Sequence, residues 1–165
     1  MEGVDHDKLA ATPVHTSWIY HLSHLINRTP SLYLETGAIH GTSLCEQDKP
    51  LVYMEDVGRQ NADDKISGWM HLEAVAPDDK IIYTTGRLTS EMVIKTALME
   101  IPVLVSRSRF TAWGVDIAKQ VGLMLSGRTR GRKFICLSGE ERFVFDVDPD
   151  SVPEEDKKTP SQERC

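Results

Sequence analysis

The sequence predicts an α/β fold in which helices cover both faces of a central mixed sheet. Three observations lead there. Short apolar runs alternate with amphipathic stretches of about 10–16 residues. Two early strand-like runs flank the turn Glu46-Gln47-Asp48-Lys49-Pro50, which reads as a hairpin and brings antiparallel pairing into the sheet. The chain has 165 residues, 40% hydrophobic and 27% charged, which suits one globular domain with a buried core.

Taken in order, Trp18, Ile19, Leu22, Leu25 and Ile26 recur at helical spacing, with Pro30 beyond the end. Leu32 to Leu44 is strand-like despite two glycines, and Leu51-Val52-Tyr53-Met54 resumes a strand after the turn. Asn61 to Ala76 is helical, carrying Ile66, Trp69, Met70 and Leu72. Lys80 to Thr84 is a short strand. Thr89 to Met99 is a helix capped by Thr89 or Ser90, with Glu91 in its first turn. Val103-Leu104-Val105 is a buried strand. Thr111 to Val121 is a helix closed by Gly122. Leu123 to Ser126 and Phe134 to Leu137 are strands, and Val144 marks a last one. Residues 1–12 read as a flexible entry, 13–145 as the folded domain and 146–165 as an acidic, disordered tail rich in proline and poor in apolar residues.

The net charge of −6 argues against a nucleic-acid binder. The polar, acidic start lacks a secretory signal pattern, and no apolar stretch approaches the ~20 residues of a membrane helix. A cytoplasmic protein is expected. Cys45, Cys136 and Cys165 lie far apart, which suits reduced thiols and neither a disulfide framework nor a zinc site.

Four polar clusters fall where strands meet helices, the edge at which open α/β sheets bind ligands. Thr36-Gly37-Ala38-Ile39-His40-Gly41 follows Glu35 and reads either as a close backbone approach to a ligand or as a strand bulge with a structural histidine. Glu55-Asp56-Val57-Gly58-Arg59-Gln60-Asn61-Ala62-Asp63-Asp64-Lys65 is the densest polar run. Asp56 or Asn61 caps the next helix, or the acid reads a base while Arg59 and Lys65 meet phosphate. Thr85-Gly86-Arg87 and Ser106-Arg107-Ser108-Arg109 are hydroxyl-rich turns opening helices, which suit either an anion or plain capping. Together they form a basic, glycine-lined cleft for a phosphorylated, nucleotide-like ligand. Arg128, Arg130, Arg132 and Lys133 add a basic patch, a charged hairpin turn or a partner contact.

Several chemistries are disfavoured. Ser43, Ser106 and Ser108 lack a nucleophile elbow. His40 is followed by Gly41-Thr42 and no paired cysteines exist, so zinc deamination lacks its ligands. His21 and His24 read as surface residues, and Cys45 and Cys136 as buried thiols.

In this order the four turns resemble the formate dehydrogenase accessory sulfurtransferase family, FdhD. Its Thr-Gly-Gly-aliphatic-His motif is similar to Thr36 through His40, and its long Glu-Asp-aliphatic-Gly-Arg-His-Asn-Ala-x-Asp-Lys motif to Glu55 through Lys65. Its Gly-Arg and Ser-x-Glu-Met-aliphatic-x-Lys runs resemble Gly86-Arg87 and Ser90 to Lys95, and its Ile-Pro-x-aliphatic-x-Ser-x-Ser turn resembles Ile101 to Ser108. Gly122 to Leu125 and Arg130 to Phe134 continue the likeness. The resemblance implies a three-layer α/β/α sandwich, cytidine-deaminase-like without the zinc site. It implies a homodimer that takes sulfur from a cysteine desulfurase and passes it to the molybdenum bis(guanine dinucleotide) cofactor for formate dehydrogenase, with GDP as a mimic of that cofactor. Carried to this chain, it places Thr36, Gly37, Ala38, His40, Asp56, Gly58, Arg59, Asn61, Lys65, Thr85, Gly86, Arg87, Ser106 and Ser108 around the cofactor.

The chain departs from the pattern at Ala38 for glycine, Gln60 for histidine and Arg109-Phe110 for smaller residues and a proline. The family's sulfur-carrying Cys-x-x-Cys precedes the first motif, and no cysteine precedes Thr36 here. Sulfurtransferase activity is therefore open, and a cofactor-binding module without it is the alternative.

Overall fold

The computed structural model describes residues 3–10, 12–28, 35–36 and 38–153. Six strands form one sheet: β2 (His40–Glu46), β3 (Lys49–Asp56), β4 (Lys80–Thr84), β5 (Val103–Ser106), β6 (Met124–Arg130) and β7 (Lys133–Ser138). Their order is β3-β2-β4-β5-β6-β7. β4, β5 and β6 run parallel, while β3, β2 and β7 add antiparallel pairs, so the sheet is mixed as expected. A separate parallel pair joins β1 (Val14–His15) to β8 (Phe143–Val144).

Alternation along the strands sorts side chains to two faces. Leu44, Ile82, Leu104 and Leu125 point to one face. There they pack on Ile66 and Met70 of α3 (Arg59–Leu72), Val93 and Ala97 of α4 (Ser90–Leu98), and Ala118 and Val121 of α5 (Ala112–Val121). Cys45, Ile81, Tyr83, Val103, Val105 and Met124 point to the other face. They meet Ile19, Leu22 and Ile26 of α2 (Thr16–Arg28), together with Val14 and Phe143. The result is the expected α/β/α sandwich, unequally covered among the described residues: α3, α4 and α5 on one side and α2 on the other.

Local chemistry sets the helix ends. The Thr89 hydroxyl accepts from the Met92 amide and the Thr111 hydroxyl from the Gly114 amide. Gly122 closes α5 with φ 75°, a left-handed conformation that suits glycine. Pro50, which cannot donate to a ladder, sits on the edge strand β3 beside an irregularity in the β2–β3 register.

Three expectations need correction. The expected flexible entry over 1–12 does not hold for the described residues 3–10: α1 (His6–Ala10) buries Leu9, and Val4 is buried in the same core cluster. Lys8 also pairs with Asp78 at 2.8 Å and Glu100 at 3.2 Å. The tail does not begin at Asp146. That carboxylate accepts from the Ser17 amide at 3.0 Å, the Ser17 hydroxyl at 2.6 Å and the Thr16 hydroxyl at 3.2 Å, so it caps α2 from across the chain. The Ser17 bonds, with His15 beside them, hold its pKa down at about 2. Residues 147–153 follow with one short 3-10 turn at Pro149–Ser151, and 154–165 lie outside the described residues. Finally, the strand expected from Leu32 begins only at His40; residues 29–34 and 37 lie outside the described residues, and Glu35 and Thr36 are helical.

Arg142 ties these segments together. Its guanidinium is buried and donates to the carbonyls of Thr12 at 2.8 Å, Gly122 at 3.1 Å and Pro102 at 3.2 Å. Replacing it takes a buried donor from all three carbonyls, although Pro102 still accepts from the Met124 amide at 3.1 Å. Arg142→Leu should lower stability by roughly 2–5 kcal/mol in urea denaturation, and a loss under about 1 kcal/mol would show that water takes over the three carbonyls.

Candidate functional site

The sheet topology gathers the predicted turns at one end. β2 runs antiparallel to β4, with Thr42 opposite Thr84, so the start of β2 lies beside the end of β4. β3 ends at Asp56 opposite His40. β4 and β5 are parallel and end together, Thr84 opposite Ser106. His40, Asp56, the 84–87 turn and the 106–109 turn therefore share one edge of the domain.

Hydroxyl and backbone bonds lock this edge. The Gly41 amide donates to the Thr85 hydroxyl at 3.0 Å, and the Thr85 amide donates to the Gly41 carbonyl at 2.9 Å. The Thr42 and Thr84 hydroxyls lie 3.1 Å apart, and Thr84 Oγ1 accepts from the Gly86 amide at 3.1 Å. The Ser106 hydroxyl donates to the Gly86 carbonyl at 2.6 Å and accepts from the Ser108 amide at 2.9 Å. These amides are engaged inside the protein, so the turns are not the open backbone cradle that their composition suggests.

The glycines serve close packing instead. A Cβ on Gly41 would stand 1.9 Å from the Tyr53 hydroxyl, and one on Gly86 would stand 3.1 Å from the Arg59 Cβ. Arg59, at the start of α3, thus lays its stem across the Gly86 turn. Its Nε is buried without a hydrogen-bond partner among the described residues, and the same holds for Arg107 Nε and His40 Nδ1. Burial and the charges of Arg59 and Arg87 push the His40 pKa below its ordinary 6.5, so the ring is mostly neutral at pH 7. Arg87 is exposed at the same edge. A group of cations with unmatched donors is chemically suited to an anion rich in acceptor oxygens.

Asp56 forms a second group. Its carboxylate accepts from the Gly58 amide at 3.0 Å, Asn61 Nδ2 at 3.1 Å and Lys65 Nζ at 2.8 Å. Lys65 also donates to the Glu55 carbonyl at 2.7 Å. Three donors, Lys65 first among them, hold the Asp56 pKa well below the usual carboxylate range. Both oxygens are engaged, so Asp56, Gly58, Asn61 and Lys65 brace the turn that delivers Arg59. The structure therefore places Asp56, Gly58, Asn61 and Lys65 in the bracing turn, and His40, Arg59, Thr85, Gly86, Arg87, Ser106 and Ser108 around the cationic edge. Thr36 accepts from the Ala38 amide at 3.2 Å on the exposed approach, and Gly37 lies outside the described residues.

Sequence reasoning missed Asp63. It is 1% exposed on the inner face of α3, and neither carboxylate oxygen has a hydrogen-bond partner among the described residues. The signal was its phase: it falls three and seven residues before Ile66 and Met70, on the apolar face. Arg107 was legible as part of the Ser106–Arg109 turn, but the family resemblance placed Ser106 and Ser108, not Arg107, around the cofactor. Cavities elsewhere, one of about 280 Å3 between α2 and residues 147–153 and one of about 430 Å3 beside Met70 and Met99, have no arginine or lysine in their linings. No group of three or more metal-ligating side chains occurs among the described residues. His21 and His24 are exposed. Burial pushes the Cys45 thiol to about 12 and the Cys136 thiol to about 11.

Residues 1–144 match the FdhD/NarQ family. The chain belongs to it. It is 35% identical to the sulfur carrier protein FdhD of Wolinella succinogenes over 135 residues, 81% of this chain and 47% of the relative. It is 32% identical to that of Bacillus licheniformis over 120 residues, 73% of this chain and 46% of the relative. A crystal structure of a putative formate dehydrogenase accessory protein from Desulfotalea psychrophila superposes with a TM-score of 0.72 at 32% identity, covering 82% of this chain and 61% of that one. The chain thus spans about half the length of these curated FdhD relatives. Among the described residues no helix is long and apolar enough to cross a membrane.

Burial moves the Asp63 carboxyl from its ordinary 3.8 up to about 7. Between those values the folded protein holds a proton that the unfolded chain has released, so stability falls as pH rises through this window and levels off above it. Asp63→Asn removes the penalty. The variant should match the parent near pH 4 and exceed it by roughly 1–4 kcal/mol at pH 8 in chemical denaturation; an equal difference at both pH values would count against a buried, titrating Asp63.

Proposed function

We propose that this chain is the cofactor-binding portion of an FdhD-type sulfur carrier. In this reading it binds the molybdenum bis(guanine dinucleotide) cofactor as substrate, in the cytoplasm, and supports transfer of sulfur from a cysteine desulfurase to that cofactor before it enters formate dehydrogenase. The homodimer is the expected assembly. The observation that carries the reading is the buried, unmatched donor set of His40, Arg59 and Arg107 at the sheet edge. A dinucleotide supplies pyrophosphate oxygens for such donors, and charge-assisted bonds from arginine are the strong ones.

The chain's own residues divide the work. Arg59 and Arg87 supply charge to phosphate. Neutral His40 offers a ring nitrogen and takes on more positive charge as an anion approaches. Asp56 and Lys65 act through Arg59 by holding its turn.

Sulfur carriage is a separate matter. A persulfide carrier needs an accessible thiol that ionises readily. Cys45 is buried, Cys136 is half-buried, and both are shifted away from the thiolate. This favours cofactor binding over sulfur carriage for the described residues.

Calorimetric titration with GDP tests the site. Binding is expected, and Arg59→Ala should weaken it by about tenfold or more, the weight of a hydrogen bond to a charged group. Asp56→Ala should weaken GDP and ADP alike, since it braces the turn. No heat with either GDP or GTP would reject the site. Incubation with a cysteine desulfurase and cysteine should leave Cys45 and Cys136 without added sulfur by mass; a persulfide on either would reverse the division of labour.

A further inference from the structure

The cationic edge continues past the turns that hold His40 and Arg59. The segments after β4 and β5 interlock there: the Leu88 amide donates to the Arg109 carbonyl at 3.0 Å, and the Thr111 amide donates to the Leu88 carbonyl at 3.0 Å. Arg59 lies against Gly86 at one end of this joint. At the other end Phe110 packs on the core cluster that contains Leu88 and Leu125. A Cβ on Gly127 of β6 would stand 3.0 Å from the Phe110 ring and 3.6 Å from Leu88, so glycine at 127 is what lets the ring lie across the strand. Phe110 is one of the departures from the family pattern, which has a proline there.

The next residue, Arg128, is held in an unusual position. β6 is irregular between Gly127 and Arg130, and Arg128 adopts φ 51°, a left-handed backbone that a non-glycine residue keeps only where its surroundings fix it. One tie is its amide, which donates to the Ser108 carbonyl at 3.0 Å. Bulges of this kind re-aim a side chain. Here the guanidinium carbon stands over the Phe110 ring, 6.0 Å from its centroid, and the side chain stays exposed. No carboxylate pairs with Arg128 among the described residues, whereas Arg132 of the same hairpin faces Asp150 at 3.8 Å. We propose that Phe110 and Arg128 form a ring-stacking platform beside the anion site, which takes the base of a nucleoside diphosphate whose phosphates lie at Arg59 and Arg87. This rests on the anion-site reading above.

The chemistry of the pair suits a flat ring. A guanidinium is planar and weakly hydrated, so bases stack on it as they do on aromatic side chains. Phe110 steadies one face of that plane by cation–π attraction. Ordering the arginine before the ligand arrives lowers the entropy lost on binding. The spacing also fits. The Gly86-Arg87 turn follows β4, and Arg128 lies in β6, two strand intervals away, or about 10 Å. A ligand that engages both ends needs a charged group and a flat ring joined by a short tether, which is the build of a nucleotide. Pyrophosphate alone engages only the first end. The platform therefore selects ring-bearing ligands over bare phosphates, and it accepts any base, because every base has a π face.

The test compares binding of GDP, ADP and pyrophosphate to wild type, Arg128→Lys and Phe110→Leu by calorimetry at one pH and ionic strength. Arg128→Lys keeps the charge and removes the plane. Phe110→Leu keeps an apolar contact and removes the ring. Each variant should bind GDP and ADP about fivefold or more weakly, the low end of a base stack, while pyrophosphate changes by less than about twofold. Arg128 is exposed, so its lysine variant decides the matter if Phe110→Leu folds poorly. Wild-type affinity for GDP in Arg128→Lys overturns the platform. A parallel loss of GDP and pyrophosphate overturns it too, since Arg128 is then one more phosphate contact. Both results leave the anion site standing, because wild type still binds pyrophosphate. Failure of wild type to bind either GDP or pyrophosphate overturns the anion site, and this inference with it.

Discussion

The ladder between β2 and β4 is the constraint on which the domain depends. It joins an antiparallel hairpin to a parallel β-α-β-α-β unit, and its antiparallel sense brings the beginning of one strand beside the end of the other. Without that ladder, His40 and Asp56 would have no fixed relation to the turns after β4 and β5. The ladder finishes in a reciprocal pair of bonds between Gly41 and Thr85, outside the last strand pairing, and in the hydroxyl contact of Thr42 with Thr84. Small residues are required there. Gly41 makes room for the Tyr53 hydroxyl, and Gly86 makes room for the stem of Arg59.

This packing changes what the glycine-rich turns mean. Their composition suggested exposed amides, yet those amides are bonded within the protein. What remains unmatched is side-chain nitrogen on His40, Arg59 and Arg107. Recognition of an anion at this edge accordingly rests on guanidinium and imidazole groups held by a rigid frame, with Asp56 and Lys65 as braces. The thiols fall on the opposite side of the account. Cys45 and Cys136 belong to the core face shared with α2, where burial suppresses ionisation.

Much of this was legible in the sequence, for identifiable reasons. Lys80–Thr84, Val103–Ser106 and the helices after Thr89 and Thr111 announce themselves by continuous apolar runs, capping threonines and a closing glycine. The grouping of polar turns at one edge also followed from strands alternating with helices. What was not legible depended on partners distant in sequence. Asp146 looks like the first acid of a tail, and its role as a cap exists only because α2 begins beside it. Val4 and Leu9 are isolated apolar residues whose burial depends on the surface formed by α5 and its neighbours. Asp56 and Lys65 have the residue types of ligand contacts, and only their 2.8 Å pairing shows them bound to each other. Asp63 was hidden by its neighbour Asp64: two adjacent acids look alike in a polar run, but helical phase turns one inward and leaves the other on the surface.

The central claim is that a nucleotide-bearing anion binds where His40, Arg59 and the turns after β4 and β5 converge. Amide chemical shifts followed by NMR during a GDP titration test it most directly. Perturbations are expected to concentrate at residues 40–42, 58–63, 84–88 and 106–109, with α2 and the β1–β8 pair unaffected. Perturbations centred on α2 and residues 147–153, or none at all at saturating GDP, would contradict it.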